Sequence, residues 1–216
     1  MNWLNITNLH YKSKDKLFNL FLPELKFTSN KILIHGSNGI GKTTFFKLLL
    51  NQLNYQSGKL YLDTRLKKIV HIDQNLSLLD YLSTKENCLL HCKLSNKKYS
   101  QLSFDTNFNE LANKFKLLPY INTPTSKLSY GQKQRASILK AIVIMPNLIL
   151  ADEPTSFQDY KMKEIVTKAL LNYCNQNNSK LIMISHDKEI ISQFNTNISF
   201  DSIINPINNS HVITTH

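Results

Sequence analysis

The segment Gly36-Ser37-Asn38-Gly39-Ile40-Gly41-Lys42-Thr43 constrains the fold more than any other part of this chain. Gly36 and Gly41 bracket four residues and are followed by Lys42 and Thr43, which is the spacing of a phosphate-binding loop. Glycines let the backbone curl so that successive N–H groups point at one anion. A helix that starts at the end of the loop directs its positive end to the same place.

The sequence around this loop has the context that such a loop requires. A β-branched run over 31–35 leads into it, and a helical pattern over 43–53 follows it. We therefore expect a nucleoside triphosphate site, in which Lys42 reaches the β- and γ-phosphates and the Thr43 hydroxyl holds Mg²⁺. The residues expected to bind the nucleotide here are Gly36, Ser37, Asn38, Gly39, Ile40, Gly41, Lys42, Thr43 and Thr44.

Two neighbouring carboxylates follow an apolar strand pattern over 148–151. Asp152, at the strand end, is placed to hold the water shell of Mg²⁺, as the second acidic motif of phosphate-loop enzymes does. Glu153 points in a different direction and can polarise a water molecule in line with the γ-phosphate. The alternative is an Asp-Glu pair that simply faces solvent, and the phosphate-loop pattern earlier in the chain favours the catalytic interpretation.

Strand and helix patterns alternate on both sides of a polar, helical stretch over 77–127. Further strand patterns cover 59–62, 69–72 and 181–184, and further helical patterns cover 129–143 and 160–176. Alternation of this kind predicts a mainly parallel sheet covered by helices. Such sheets bind ligands at the carboxyl ends of their strands, where the loop and the acidic pair fall.

Length and terminal sequence limit the classes of protein to which this chain can belong. Its 216 residues suffice for one α/β domain with a real core but not for two full domains. No apolar run reaches the length of about 18 residues that a membrane span needs. The start of the chain has no basic region before an apolar core, so no secretory signal is expected. We therefore expect a cytoplasmic protein that relies on another chain for any membrane-spanning part.

The formal net charge of +11 has two interpretations. One is a basic surface that meets nucleic acid or anionic lipid. The other, which we favour, is lysines spread over solvated faces, because no dense basic block with interleaved aromatics occurs. Cys88, Cys92 and Cys174 fit a reducing compartment. A zinc site at Cys88, His91 and Cys92 would need more ligands, so we expect buried thiols instead.

The segment Leu128-Ser129-Tyr130-Gly131-Gln132 begins a helical pattern shortly before the acidic pair. It resembles the Leu-Ser-Gly-Gly-Gln signature of ATP-binding cassette (ABC) ATPases. In that family the signature is a second helix-start anion site, which grips the γ-phosphate of the ATP held by the other subunit. The resemblance assigns this contact to Ser129, Gly131 and Gln132. Tyr130 stands where Gly is commoner, so the tighter backbone approach of that Gly is lost.

Four further residues fall in the order that the family shows. Gln74 resembles the Q-loop glutamine, which senses Mg²⁺ and the γ-phosphate and faces the membrane partner. His186 resembles the switch histidine that contacts the γ-phosphate, and Tyr11 matches the aromatic residue that stacks on adenine. Asp159 matches the D-loop aspartate, with Phe157-Gln158 in place of the usual Ala-Leu. Taken singly, Gln74 and His186 can equally be polar strand-end residues, and Tyr11 can be a core aromatic.

The resemblance implies the fold of a P-loop NTPase. This is an α/β fold with a mainly parallel central sheet, a small N-terminal antiparallel β part and an inserted helical subdomain. One ABC ATPase domain is expected over 1–216, with a catalytic core at 1–74 and 128–216 and a helical subdomain at about 75–127. The implied cofactors are ATP and Mg²⁺. The implied catalytic residues are Glu153, His186, Gln74 and Lys42, and the implied metal ligands are Thr43, Gln74 and Asp152.

The function implied is a two-subunit ATP clamp that drives a membrane transporter. The clamp is a homodimer or a pair of cassettes, placed in the cytoplasm on the inner face of the cell membrane. Integral-membrane subunits on separate chains are the expected partners, and no nucleic acid is expected. An apolar patch over 78–82, after Gln74, is suited to a coupling helix.

Two questions stay open at the level of sequence. A soluble ABC ATPase acting on nucleic acid or ribosomes is the alternative, and the basic charge favours it. Against it, ribosome-acting members carry two cassettes, and chromosome and repair members insert a long coiled coil. The run 151–155 resembles lipoprotein-release and macrolide-export cassettes, whereas the short segment before Gln74 resembles metal-import or haem-export cassettes. No cargo is therefore predicted.

Overall fold

The computed structural model describes residues 2–73, 75–95 and 101–204. These residues form two compact units. The first contains the described residues up to 67 and from 182 onwards, and the second contains those from 68 to 181. Strand β7 (Lys180–Ile184) crosses the boundary between the two units along the chain. The strands belong to a three-stranded sheet and a five-stranded sheet, as the predicted α/β class requires.

An antiparallel sheet occupies the first unit. Its strands are β1 (Leu4–Lys12), β2 (Asn19–Phe27) and β4 (Ser57–Leu62), in the order β2-β1-β4. Leu4 pairs with Phe27 on one side and with Leu62 on the other. Buried side chains alternate along β1 at Leu4 and Ile6, and the alternation slips at a bulge between Thr7 and His10.

The remaining described elements of the first unit are two strands and three helices. These elements are β3 (Lys31–His35), α1 (Lys42–Leu49), α6 (Lys188–Ile191), β8 (Asn197–Ser199) and α7 (Phe200–Ile204). Strand β3 pairs in parallel with β8. The Phe45 ring of α1 lies 6.4 Å from the Phe27 ring of β2 and 5.4 Å from the Phe200 ring of α7. These buried contacts fix α1, and hence the loop that precedes it, against both neighbours.

The second unit combines two parallel strands with four helices. Its elements are β5 (Ile69–Ile72), α2 (Thr84–Ser95), α3 (Gln101–Lys114), α4 (Tyr130–Ile142), β6 (Leu148–Asp152) and α5 (Tyr160–Asn177). Strand β6 pairs in parallel with β5 in the register Ile69–Leu148 to Ile72–Ala151. Every residue of β6 is buried, which explains its continuous apolar run. Two 3₁₀ turns, Leu118–Tyr120 and Thr125–Lys127, lead from α3 to α4.

The described residues between 75 and 127 contain helices, turns and an isolated bridge between Ser83 and Pro124, but no strand. Helices were predicted in this stretch, and α2 and α3 occur there. The division into a catalytic core and a helical subdomain at about 75–127 remains a prediction. Cys88 and Cys92 of α2 and Cys174 of α5 are buried thiols, as expected.

Three elements differ from the sequence prediction. The helix predicted over 43–53 ends at Leu49, because Asn51 has a left-handed backbone (φ 55°) and a polar turn follows. Strand β1 was not predicted, because its local sequence pattern is weak and its pairing with β2 and β4 cannot be seen in the sequence. Strand β8 is only three residues long, below the length at which alternation can be recognised.

Candidate functional site

The phosphate-loop residues lie between β3 and α1, as predicted. The backbone φ angles of Gly36, Gly39 and Gly41 are +148°, +77° and +111°, a region that favours glycine. A Cβ atom on Gly41 would lie 2.9 Å from the Phe18 ring, so packing as well as backbone conformation requires glycine there. The first turn of α1 follows directly, with the Phe45 N–H bonded to the Gly41 carbonyl. The amide groups of that turn therefore point beyond the helix start, where an anion would be bound.

The ammonium group of Lys42 is folded back over this loop. Its Nζ donates hydrogen bonds to the Gly36 carbonyl (2.7 Å) and the Ser37 carbonyl (2.9 Å), and the residue is only 8% exposed. A phosphate oxygen would be a charged acceptor for the same group, and a hydrogen bond to an anion is stronger than one to a carbonyl. The loop thus offers curled backbone, helix start and cation together, which fits a triphosphate.

Asp201, which the sequence interpretation missed, binds the first part of the loop. The Ser37 N–H donates to Asp201 Oδ2 at 2.9 Å, and the Ser37 hydroxyl donates to Oδ1 at 2.6 Å. A Cβ atom on Gly36 would lie 2.9 Å from Oδ2, so this close approach also needs glycine. The pKa of Asp201 lies below its ordinary value, chiefly because of the hydroxyl hydrogen bond from Ser37. The one sequence feature that could have indicated this contact is the position of an aspartate shortly after strand β8.

Tyr11 and His186 also belong to the first unit. Tyr11 pairs directly with Leu20 across β1 and β2, and the Leu20 side chain borders Gly41. Directly paired residues share a sheet face, so Tyr11 lies on the face that adjoins the loop. His186 is exposed just after β7, where the Ser185 N–H donates to the Ile34 carbonyl, two residues before Gly36. The structure thus brings both residues to the neighbourhood of the loop, while their roles toward adenine and the γ-phosphate remain predictions.

The two carboxylates follow β6 in the second unit. Asp152 is the last residue of the strand and is 6% exposed. Glu153 has a φ of +50°, which is uncommon for a residue other than glycine. The role of Glu153 toward water and the γ-phosphate remains a prediction. Mg²⁺ prefers oxygen ligands such as carboxylates, so the buried carboxylate of Asp152 at the strand end fits its predicted role.

The signature residues form the start of α4. Ser129 is the N-cap, and its Oγ accepts the Gln132 N–H (3.3 Å), while the Ser129 N–H donates to Gln132 Oε1 (2.9 Å). This reciprocal capping box fixes the direction of the helix start. Ser129 is exposed, and Gly131 follows in the first turn. The start of α4 is therefore capped and exposed, while its grip on the γ-phosphate held by another subunit remains a prediction.

Asp159 caps α5 in the same unit. Its Oδ1 accepts the Met162 N–H at 2.9 Å. Burial lowers the pKa of Arg135 from its ordinary value, and Asp159 acts in the opposite direction. Gln74, predicted as a Q-loop residue and metal ligand, lies outside the described residues. Among the described residues, no group of three or more His, Cys, Asp or Glu side chains could hold a metal ion.

The fold and the loop geometry together define a phosphate-loop nucleotide-binding protein. Comparison with known families agrees, because the model of the family described as ABC transporter matches residues 25–156. The chain therefore belongs to the ABC transporter family. Within the described residues, no helix is long and apolar enough to cross a membrane.

Two curated relatives and one solved structure illustrate the likeness. The chain is 28% identical over 207 residues to the uncharacterized ABC transporter ATP-binding protein YvcR of Bacillus subtilis, covering 87% of this chain and 79% of that protein. It is 30% identical over 205 residues to the lipoprotein-releasing system ATP-binding protein LolD of Buchnera aphidicola, covering 88% and 89%. The bacterial ABC transporter cassette MJ0796, solved as a dimer, matches with a TM-score of 0.78 over 91% of this chain and 93% of that chain, at 21% identity. The predicted fold class is thereby confirmed.

Proposed function

We propose that this chain is the ATP-hydrolysing subunit of a membrane ABC transporter. In the proposed cycle, ATP-driven closure of two cassettes moves substrate through separate membrane-spanning subunits. The observation that supports the proposal is that one chain has two helix starts of the kind that can bind an anion. One is the loop before α1, and the other is the exposed, capped start of α4. A second copy or a paired cassette would complete the two nucleotide sites.

Within this proposal the residues of the first unit bind the nucleotide. The loop from Gly36 to Thr44 and the Lys42 ammonium hold the phosphates, and Tyr11 stacks on adenine. His186 contacts the γ-phosphate. Ordered amide donors and a cation stabilise the charge that develops on the transferred phosphoryl group.

The residues of the second unit carry the hydrolytic step. Glu153 accepts a proton from water as the water oxygen bonds to the γ-phosphorus, and the bond from that phosphorus to the ADP oxygen breaks. The products are ADP and inorganic phosphate. Thr43, Asp152 and Gln74 would hold Mg²⁺, which neutralises phosphate charge when bound. Ser129, Gly131, Gln132 and Asp159 act on the nucleotide of the facing copy.

A cavity in the second unit supports docking of a membrane subunit. Its volume is about 350 Å³, and Asp73 and Asn75, the neighbours of Gln74, line it together with His71, His91 and Lys140. The pKa of His91 lies below its ordinary value because of burial and, next, the charge of Lys140. Because Asp73 and Asn75 flank Gln74 in the sequence, we expect a segment of a membrane subunit inserted here to act on the nucleotide site through Gln74. LolD, named for lipoprotein release, is one model for the cargo class.

The experiment is recovery of the tagged full-length chain from its native cells. Recovery with a chain that has several spanning helices, in a complex that hydrolyses ATP, is expected. Glu153→Gln should lower turnover by about 10²- to 10⁴-fold, the usual contribution of a general base. The matched control is Glu164→Gln, which changes an exposed residue of α5 and should not alter turnover. Recovery with nucleic acid alone, or normal turnover by Glu153→Gln, would overturn the proposal.

A further inference from the structure

Two residues that depart from the family pattern contact each other in the second unit. Tyr130 replaces a glycine of the signature, and Phe157 replaces an alanine of the D-loop. Their ring centroids lie 4.2 Å apart at an interplanar angle of 60°, so the two rings are in close edge-to-face contact. Tyr130 is 48% exposed and Phe157 is 54% exposed. The pair therefore joins two functional segments at the surface and is not part of the core.

A buried amide joins the same two segments beneath the rings. Gln158 is 8% exposed, and its Nε2 donates to the Gly131 carbonyl (2.9 Å) and to Gln134 Oε1 (2.8 Å). Arg135 Nη1 donates to Gln158 Oε1 at 2.8 Å. Gly131 is close enough to this segment that a Cβ atom would lie 3.2 Å from the Phe157 carbonyl oxygen. Thus both unusual D-loop residues, Phe157 and Gln158, are bound to the first turns of α4.

The connection continues to the proposed general base. Gln134 lies two residues after the signature, and its Nε2 is 3.4 Å from the Glu153 carbonyl oxygen. Ser156 Oγ donates to the same carbonyl at 3.1 Å. Contacts therefore run from the signature to the backbone of Glu153 through Gln158 and Gln134, while the Phe157 ring contacts Tyr130. If these contacts couple the two segments, a displacement of the α4 start also moves the backbone of Glu153.

We propose that Tyr130 and Phe157 are a positioning couple that makes the start of α4 and the 153–159 segment move as one body. The inference rests on the proposed function. When Ser129 and Gly131 engage the triphosphate of the facing copy, the couple brings Glu153 of the same chain into place. The ring that Tyr130 adds to the signature thus packs on the ring that Phe157 adds to the D-loop. Through this contact, the nucleotide site gripped by the signature is linked to Glu153, the general base of the other nucleotide site.

The test is a double-mutant cycle on ATP turnover by the full-length chain. Tyr130→Ala and Phe157→Ala should each lower kcat by about two- to tenfold, the range expected from loss of one aromatic pair. The KM for ATP and the thermal midpoint should change little. The double variant should be no slower than the slower single variant, because the second change removes a partner that is already lost. Tyr130→Phe keeps the ring and should retain wild-type kcat.

Tyr160→Ala is the matched control. It removes an aromatic ring that is 65% exposed and lies three residues beyond Phe157, and it should leave kcat unchanged. Multiplicative effects of the two single changes, or unchanged kcat in both, would overturn the couple while leaving the proposed function intact. A wild-type chain that binds ATP without hydrolysing it would overturn the proposed function and the couple together.

Discussion

At the scale of single residues, the phosphate loop depends on a side chain far away in the sequence. Asp201 lies 164 residues beyond Ser37, and its carboxylate holds both the N–H and the hydroxyl of that residue. Lys42 closes the same part of the loop from the other direction, through the carbonyls of Gly36 and Ser37. These side chains therefore support the curvature of the loop, which lowers the cost of ordering it.

Asp201→Ala should weaken ATP binding because the loop loses this support. A fall in affinity of about three- to tenfold is expected, since charge-assisted hydrogen bonds are strong but this residue is partly exposed to solvent. Titration calorimetry with ATP measures the effect. Asp201→Asn is the control, because its amide oxygen can still accept from Ser37. Wild-type affinity in Asp201→Ala would contradict the supporting role.

At the scale of elements, the local sequence pattern was enough to predict the phosphate loop, strand β6 and the starts of the helices. Ser129 and Asp159 are cap residues at the starts of helices, and Gly36 to Thr43 has a spacing that few structures other than a phosphate loop require. Strand β1 and the Asp201 contact could not be predicted, because each depends on partners distant in the chain. The Tyr130–Phe157 pair escaped prediction for the same reason: each residue alone reads only as a departure from the family pattern.

Gly58 is an element-scale requirement of the antiparallel sheet. It lies opposite the bulge of β1 with a φ of +97°, and a Cβ atom there would lie 2.2 Å from the Asn8 carbonyl oxygen. Gly58→Ala should lower the free energy of unfolding by about 1–3 kcal/mol. The backbone at Asn8 has to move to make room for the methyl group, and the alanine has to adopt an unfavourable positive φ.

Gly39→Ala provides the comparison for this substitution. Gly39 also has a positive φ of +77°, but apart from its two chain neighbours no atom of the described residues lies within 4 Å of its Cβ position. In urea denaturation, Gly39→Ala should therefore lower the free energy of unfolding by less than Gly58→Ala does. Equal losses at the two positions would mean that the contact with Asn8 does not matter.

At the scale of the whole molecule, each unit carries half of what the proposed site needs. The phosphate loop, Tyr11 and His186 belong to the first unit, and the carboxylates, the signature and Asp159 belong to the second. The net charge of +11 was consistent with either a nucleic-acid partner or dispersed surface lysines. Membership of the ABC transporter family supports the proposed transporter subunit, in which two copies share two ATP molecules.

Sedimentation velocity of Glu153→Gln with ATP tests this shared arrangement most directly. The hydrolysis-deficient chain should bind ATP and sediment as a stable dimer, and it should return to monomer when ATP is removed. Adding Ser129→Arg should abolish the dimer while ATP binding by the monomer persists, because an arginine blocks the exposed start of α4 without touching the phosphate loop. An ATP-dependent dimer that is indifferent to Ser129→Arg would contradict the account.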